Sequence, residues 1–308
     1  FTKGPGVCVY NNIMLVLLPW LQMDGNILFL SHAAEIRAHS VNQNGKKILS
    51  QPFKIYSGHS GDVCRFVLND SYLISSGSDG TIVVHCRRSG AQTKLPGHSQ
   101  EINCLDSRGE LIISGSRDTT VKVWTLTSSS SRATISTFDR VWSVAIDPSL
   151  SSFAVGTACC RTLSPLHIWN TERMECLLTC GYDTFIRLWD VRLNTRKCVM
   201  EWEEPHDCAL YCLQTDGNHM MATGSSYYGV VRLWDKRQSQ CLQMYELSTQ
   251  RASSPVYCLR FNSSHLFAAL ASSLHALDFR HCPTPAADDT DSNTQTLFRE
   301  TKKHKIHL

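Results

Sequence analysis

Short segments that alternate apolar and polar residues run along most of this 308-residue chain, and tryptophan stands at the close of four of them. Alternation with a period of two is the pattern of a half-buried β-strand. The four segments are TVKVW at Trp124, LHIWN at Trp169, FIRLWD at Trp189 and VVRLWD at Trp234. Because the same strand recurs, the pattern predicts an internal repeat.

A second repeated signal is the Gly-His dipeptide ahead of two units, at Gly58-His59 and Gly97-His98. The two dipeptides are 39 residues apart, close to the roughly 40 to 45 residue period of a four-stranded propeller blade. From His59 the chain reads HSGDVCRFVL, YLISSGS, the turn Asp79-Gly80 and TIVVHC. Asp-Gly is a typical dipeptide of tight turns between strands. The sequence therefore predicts an all-β fold, a β-propeller with a seven-bladed plan.

The repeat also divides the chain. Residues 1–57 are predicted to supply an amino-terminal blade, and residues 58–282 the remaining repeats. Residues 283–308 are rich in Pro, Thr, Asp and Lys and have almost no apolar periodicity. Such a composition cannot bury enough apolar surface to form a core, so this tail is expected to be disordered.

One unit is too short. Trp169 and Trp189 are 20 residues apart, whereas Trp124 and Trp169, and also Trp189 and Trp234, are 45 residues apart. About half a blade is missing near residues 170–190, so the sequence predicts a propeller with one truncated blade. We expect either one hybrid blade or a gap with two unpaired strand edges, which are sites of aggregation.

Charge and cysteine content narrow the possible partners. The net charge is +3, with both signs interspersed, so neither nucleic acid nor a membrane surface is expected as a partner. The fourteen cysteines are scattered along apolar strands, which is typical of reduced thiols in a cytoplasmic or nuclear protein. The apolar run over residues 13–18 is far shorter than the roughly 20 residues of a membrane-spanning helix.

A histidine, a serine and an aspartate recur at matching positions and could be taken for a catalytic triad. A catalytic triad needs one copy, whereas a network that stabilises the fold recurs in each blade. We therefore predict no catalytic residues and a structural hydrogen-bond network. Its predicted members are His59, Ser75, Asp79, His98, Ser114, Asp118, Trp124, Asp183, Trp189, His206 and Trp234.

Two cysteine pairs resemble metal ligands, Cys176 with Cys180 and Cys208 with Cys212, the latter beside His206. Residues four apart on a strand lie about 13 Å from each other, too far to share one zinc ion. Only a loop could bring either pair together. Because of this spacing, no metal is predicted. No glycine-rich phosphate loop is present either, so no cofactor is predicted.

Surface recognition is the remaining function class. The loops that lead into each blade and the turns after its second strand gather on one face of a propeller, where they form a composite binding rim. Arginine and tyrosine contribute strongly to interfaces. The predicted target-binding residues are Arg117, Arg140, Tyr182, Tyr227 and Tyr228, and the alternative is that they merely cap turns. Trp142, Tyr211 and Tyr257 share one position in their repeats and are expected to pack between blades.

Several segments are more specific than the general repeat. RKCVMEWEEPHD and GSSYYGVVRLWD, with most of residues 15–280, resemble the WD40 propeller of F-box/WD-repeat proteins. The resemblance implies a substrate-recognition subunit of a Skp1, cullin and F-box E3 ubiquitin ligase. In such a complex the propeller binds the target protein for ubiquitin-dependent degradation and performs no chemistry itself.

No F-box helices are predicted before the first strands of this sequence. The Skp1 adaptor and the cullin are therefore expected as partners only if an upstream F-box exists. The alternative function is a non-catalytic WD40 scaffold for protein complexes with no ligase role.

Overall fold

The computed structural model forms seven antiparallel sheets that hold 26 strands among the residues it describes. The predicted all-β, seven-bladed propeller is confirmed. No helix in this part of the chain has the length and apolar character needed to cross a membrane. The described residues are 6–10, 19–41, 49–150, 152–158, 166–169, 176–190, 198–203, 209–216, 218–238, 240–248, 254–262, 264–271 and 273–279.

Each sheet is one blade, and we number the blades in chain order. Blade 1 contains β2 (Leu21–Asp24), β3 (Ile27–His32), β4 (Glu35–Ser40) and β5 (Lys54–Tyr56). Blade 2 contains β6 (Val63–Leu68), β7 (Tyr72–Gly77), β8 (Thr81–Cys86) and β9 (Gln92–Pro96). Blade 3 contains β10 (Ile102–Arg108), β11 (Leu111–Ser116), β12 (Thr120–Thr125) and β13 (Ala133–Ser136).

The second half of the chain continues the series. Blade 4 contains β14 (Val141–Ile146), β15 (Phe153–Thr157) and β16 (Leu166–Trp169), and blade 5 contains β17 (Cys176–Cys180), β18 (Phe185–Asp190) and β19 (Met200–Glu203). Blade 6 contains β20 (Leu210–Thr215), β21 (Met220–Ser225), β22 (Val230–Asp235) and β23 (Cys241–Glu246). Blade 7 contains β24 (Cys258–Phe261), β25 (His265–Ala269), β26 (Leu274–Asp278) and, from the other end of the chain, β1 (Gly6–Tyr10).

Ring closure differs from the predicted division of the chain. The strand β1 pairs antiparallel with β26, with Gly6 opposite Asp278 and Tyr10 opposite Leu274. The first described strand is thus the outer strand of the last blade, whereas residues 1–57 had been assigned to one amino-terminal blade. Pairing the two ends of the chain covers an edge of β26 that would otherwise be open.

The missing half-blade is divided between two neighbouring blades. In blade 5 the Trp189 indole donates to Thr179 Oγ1 at 2.9 Å, just as the Trp124 indole donates to Ser114 in blade 3. The strand β17 therefore corresponds to the second strand of a complete blade. Among the described residues, blade 4 lacks an outer strand and blade 5 lacks the inner strand next to the central axis. The sequence predicts one truncated blade near residues 170–190, whereas the described residues form two three-stranded blades; residues 170–175, between them, lie outside the described residues.

The core lies between neighbouring blades, where the sheets face each other. Ile74 and Ile82 of blade 2 pack with Ile102 and Trp124 of blade 3 in one buried cluster. The approach between blades 3 and 4 is so close that a Cβ on Gly115 would lie 2.3 Å from Val141 Cγ1. Glycine at this position is thus required by packing between blades.

Candidate functional site

One end of the ring gathers the turns between second and third strands beside the loops that lead into the next blade. Backbone hydrogen bonds join the two sets: His98 N donates to Gly80 O, Leu210 N to Gly181 O, and Gly229 N to Ser254 O. We call this end the upper face. It comprises residues 33–34, 78–80, 117–119, 181–184 and 226–229 of the turns and the residues just before β6, β10, β14, β20 and β24.

The turn of blade 3 is fixed by a chain of four side chains. The Trp124 indole donates to Ser114 Oγ at 2.9 Å, and Ser114 Oγ lies 2.8 Å from His98 Nε2. His98 Nδ1 lies 2.8 Å from Asp118 Oδ2. One assignment of hydrogens satisfies all three contacts: the serine donates to Nε2 and the neutral imidazole donates from Nδ1 to the carboxylate.

Blade 2 repeats three members of this chain. His59 Nε2 lies 2.9 Å from Ser75 Oγ, and His59 Nδ1 lies 3.2 Å from Asp79 Oδ1. His85 stands where blade 3 has its tryptophan. The His85 ring is buried and meets the Tyr56 ring edge-on, with 5.4 Å between the ring centroids.

Blades 5 and 6 contain shorter versions of this hydrogen-bond chain. The Trp234 indole donates to Thr223 Oγ1 at 2.9 Å, as the Trp189 indole does to Thr179. Among the described residues, Asp183 binds the guanidinium of Arg187. His206 was predicted to belong to the network and lies outside the described residues.

The environment of these histidines suits a structural role. Burial lowers the pKa of His98 and of His59, although the neighbouring Asp118 and Asp79 oppose the effect. Ser114 and Ser75 are fully buried, and their hydroxyls are engaged by the histidines. A nucleophile must reach its substrate, whereas these two serines are closed off from solvent.

The two predicted arginines lie on the upper face but do not meet. Arg117 follows β11, and its guanidinium lies 3.3 Å from Glu101 while 44% of the side chain stays exposed. Arg140 is exposed and precedes β14. Its backbone N–H donates to Asp139 Oδ1, and its carbonyl accepts from Ala158 N. The structure records no contact between the two guanidinium groups.

Tyr227 and Tyr228 occupy the turn of blade 6, and both are exposed. Their ring centroids are 6.2 Å apart, with the planes tilted by 47°. Tyr228 has a φ of 59°, in the left-handed region that tight turns use, and Gly229 follows with a φ of 58°. The turn geometry thus holds both rings outward.

Tyr182, in the turn of blade 5, begins a stack that the sequence did not reveal. Its ring centroid is 5.7 Å from that of Tyr211, which is 6.0 Å from that of Tyr257. The Tyr182 hydroxyl donates to the Tyr211 hydroxyl at 3.2 Å. The three rings, from blades 5, 6 and 7, form one continuous aromatic surface, which we call the tyrosine ladder.

Of the three residues expected to pack between blades, Trp142 is 46% exposed, contrary to the expectation. Tyr211 contacts Tyr182 and Tyr257 of the neighbouring blades, yet 37% of this residue is also exposed. The cause is a β-bulge at the start of the inner strands. Val141 and Ser143 pair with consecutive residues of β15, so Trp142 is the extra residue, and Tyr211 is the extra residue between Leu210 and Cys212. A bulge redirects the side chain of its extra residue.

The eight cysteines whose side chains the structure describes are free, namely Cys64, Cys86, Cys104, Cys180, Cys198, Cys212, Cys241 and Cys258. Burial raises the pKa of the Cys104 and Cys180 thiols to about 12 and that of Cys212 well above its usual value. In the described part of the chain, no three His, Cys, Asp or Glu residues are grouped as metal ligands.

Three comparisons place this architecture among known proteins. Residues 50–85, 90–125 and 196–235 match the WD domain, G-beta repeat family. F-box/WD repeat-containing protein 4 of Mus musculus is 50% identical over 291 residues, covering 86% of this chain and 71% of the relative, and that of Homo sapiens is 49% identical over the same shares.

Two further matches have lower sequence identity. The mitochondrial division protein 1 of Schizosaccharomyces pombe is 25% identical over 263 residues, which cover 77% of this chain and 38% of that protein. The crystal structure of the WD40 beta propeller domain of Doa1 superposes with a TM-score of 0.68 at 16% identity, covering 91% of this chain and 98% of that domain.

Proposed function

The chain belongs to the family of F-box/WD repeat-containing protein 4, and from this premise we propose that it is the substrate-recognition subunit of an SCF-type E3 ubiquitin ligase. Its propeller binds the target protein, which is then degraded in a ubiquitin-dependent way. The observation that carries the proposal is the identity of about half of all residues to relatives named for an F-box and WD repeats. The propeller is a binding module, and the transfer of ubiquitin belongs to other subunits.

The upper face supports target binding. It exposes aromatic side chains from blades 4 to 6, among them Trp142, Tyr182, Tyr211 and Tyr227. Large aromatic residues and arginine dominate the energy of protein interfaces, and an exposed group of them on a soluble surface marks an interaction site. Arg117 and Arg140 extend the same face over blades 3 and 4.

Binding to the Skp1 adaptor and to a cullin requires an F-box in the same polypeptide, and the propeller supplies only the target-binding part. We place the complex in the cytoplasm or the nucleus. The free thiols of the described cysteines support this location, because they suit a reducing compartment.

A non-catalytic WD40 scaffold with no ligase role is the second candidate. It is favoured by the match over most of the chain to the mitochondrial division protein, whose name mentions no F-box. Both candidates use the upper face for protein binding, and they differ only in the link to the ubiquitin system.

A pull-down from cells separates the two. The tagged 308-residue chain is compared with the same chain fused behind the F-box segment of the mouse relative, and Skp1 and cullin are detected by immunoblotting. Recovery of Skp1 and cullin with the fusion, together with accumulation of ubiquitinated proteins that co-purify with it, supports the ligase function. A fusion that binds Skp1 while its propeller brings down no ubiquitinated protein would leave the scaffold function.

A further inference from the structure

Two arginines on the inner strands of the ring share one tryptophan. Arg65 is the third residue of β6 in blade 2, and Arg260 is the third residue of β24 in blade 7. Their guanidinium carbons lie 4.0 and 4.8 Å from the centre of the Trp20 ring, and Trp20 directly precedes β2 of blade 1. Two blades that are not neighbours thus direct their arginines to one point beside the central axis.

The hydrogen-bond acceptors of these arginines are neutral. Arg260 Nε donates to Gln22 Oε1 at 3.1 Å, and Arg260 Nη1 donates to Gln214 Oε1 at 2.7 Å and to the carbonyl of the preceding residue. Arg65 donates from Nη1 to Cys64 O at 3.2 Å. A guanidinium has five N–H donors, so within the described chain the pair keeps several donors without an acceptor. Both arginines are half-buried, which leaves them accessible to a small solute.

The two positive charges are not balanced by carboxylates. In the part of the chain that the structure describes, the contacts of Arg65 and of Arg260 include no ion pair. Glu101 accepts from the Cys64 thiol next to Arg65, but this carboxylate pairs with Arg117 of the upper face. Cations that are partly removed from water are costly unless an anion accompanies them.

The neighbouring thiols do not supply that anion. Burial lowers the pKa of Arg65, and the charge of Arg260 acts in the same direction, whereas Cys258, Cys104 and Cys64 would oppose this effect as thiolates. Burial raises the pKa of the Cys64 thiol and raises that of Cys104 to about 12, so both stay protonated at neutral pH. The Cys258 thiol donates its hydrogen to a backbone carbonyl of β2.

The donors match an oxyanion of the phosphate class. A guanidinium binds two oxygens of one phosphate through parallel N–H groups, which a spherical chloride ion does not offer. A phosphate group carries about 1.5 to 2 negative charges at pH 7, close to the charge of two arginines. The indole of Trp20 attracts both cations but leaves their net charge unchanged.

We propose that Arg65 and Arg260 bind a small free oxyanion of the phosphate class at the central axis of the propeller. The bound anion neutralises both guanidinium groups and links blades 7, 1 and 2. This inference goes beyond the proposed function and does not rest on it, because the site uses none of the upper-face side chains assigned to target binding.

Thermal melting of the full 308-residue chain tests the proposal. Inorganic phosphate is titrated at constant pH, and sodium chloride keeps the ionic strength constant. A ligand that binds the folded chain raises the melting midpoint as its concentration increases. We expect a rise with phosphate that follows a binding curve, and isothermal titration calorimetry with inorganic phosphate gives the affinity. A midpoint that depends on ionic strength alone overturns the proposal.

Variants then locate the site. Arg65→Gln and Arg260→Gln each remove one charged fork, and we expect each to weaken phosphate binding at least about tenfold. Arg65→Lys keeps the charge but loses the fork and should bind several-fold more weakly than the parent chain. Arg88→Gln is the matched control, because it removes one exposed arginine from the turn after β8 of the same blade and should leave phosphate affinity unchanged.

Melting in chloride alone shows which variants fold, and Arg65→Lys serves if a glutamine variant does not. Parent-like phosphate affinity in the folded variants at positions 65 and 260 overturns the proposal. Tighter binding of a ten-residue phosphoserine peptide than of inorganic phosphate, abolished by Arg65→Gln, would overturn the assignment to a free anion. The ligase function is tested by recovery of Skp1 with the F-box fusion, so either result can fail alone.

Discussion

His98 and Asp118 are joined by a hydrogen bond of 2.8 Å that ties the loop leading into blade 3 to the turn after its second strand. The same carboxylate accepts from the backbone N–H of Ser99 at 3.1 Å and from Thr120. One aspartate thus fixes two segments of the upper face. Arg117, a predicted binding residue, immediately precedes this anchored position.

Replacing that aspartate should destabilise the protein. Asp118→Ala leaves the His98 imidazole and the Ser99 N–H without their acceptor, and we expect the free energy of unfolding to fall by about 1–3 kcal/mol. Urea denaturation followed by tryptophan fluorescence measures the change. Asp183→Ala is the control, because Arg187, the ion-pair partner of Asp183 among the described residues, is partly exposed, and the substitution should cost less than about 1 kcal/mol. Equal losses would contradict a structural role for the His98 chain.

Stability should fall on mild acidification. Burial lowers the pKa of His85 and of His275 from 6.5 to about 4. The unfolded chain therefore binds more protons than the folded chain between pH 6.5 and 4, and stability rises with pH in this window. The neutral histidines contribute fully above pH 6.5, and their contribution is lost towards pH 4. We expect urea midpoints to decrease over this range.

The His85→Phe variant tests the cause. It removes one of the groups that take up protons on unfolding while it keeps an aromatic ring beside Tyr56. The dependence of its unfolding free energy on pH should be shallower than that of the parent chain. An unchanged slope would show that His85 is not one of the groups responsible.

The incomplete blades should open more readily than the complete ones. The described strands of blade 5 lack an inner neighbour, and Trp189 is only half-buried, whereas Trp124 of blade 3 is buried. Local opening is easier where packing is sparse. In hydrogen–deuterium exchange, amides of β17 and β18 should exchange at least about tenfold faster than those of β11 and β12. Comparable protection in both blades would refute this expectation.

A single methyl group should disturb the contact between blades 3 and 4. In Gly115→Ala the new Cβ would lie 2.3 Å from Val141 Cγ1 and 2.7 Å from Cys104 Sγ. Such overpacking costs about 1–3 kcal/mol, measurable by urea denaturation. Gly181→Ala is a matched control, since the nearest atom to its Cβ is Asp183 Oδ1 at 3.7 Å. Only the first substitution should lower the midpoint.

Much of this architecture is readable from the chain because each blade repeats the same local signals. The alternation that ends at Trp124 and the Asp79-Gly80 turn specify strands and turns whose partners are close in sequence. The histidine recurs in the sequence, at His59 and at His98, and this repetition alone favours a structural network over a catalytic triad. These features depend on neighbours within about one repeat.

Features that depend on distant or irregular geometry were not readable. The segment GVCVY carries no sign that its partner is β26, since the pairing depends on closing the whole ring. The exposure of Tyr211 follows from a bulge that shifts the register by one residue, and an alternation pattern cannot reveal such a shift. The stacking of Tyr182 on Tyr211 joins different blades and requires the assembled propeller.

The pairing of β1 with β26 also has a consequence for synthesis on the ribosome. Synthesis proceeds from the amino end, so β1 is made before every other described strand and its partner β26 after all of them. The contact spans nearly the whole sequence, and its loop-closure entropy makes it a late step. Until then the nascent chain presents open strand edges at both ends of an unfinished ring. Such edges associate with other chains, so the nascent chain is expected to need a chaperone until blade 7 is translated.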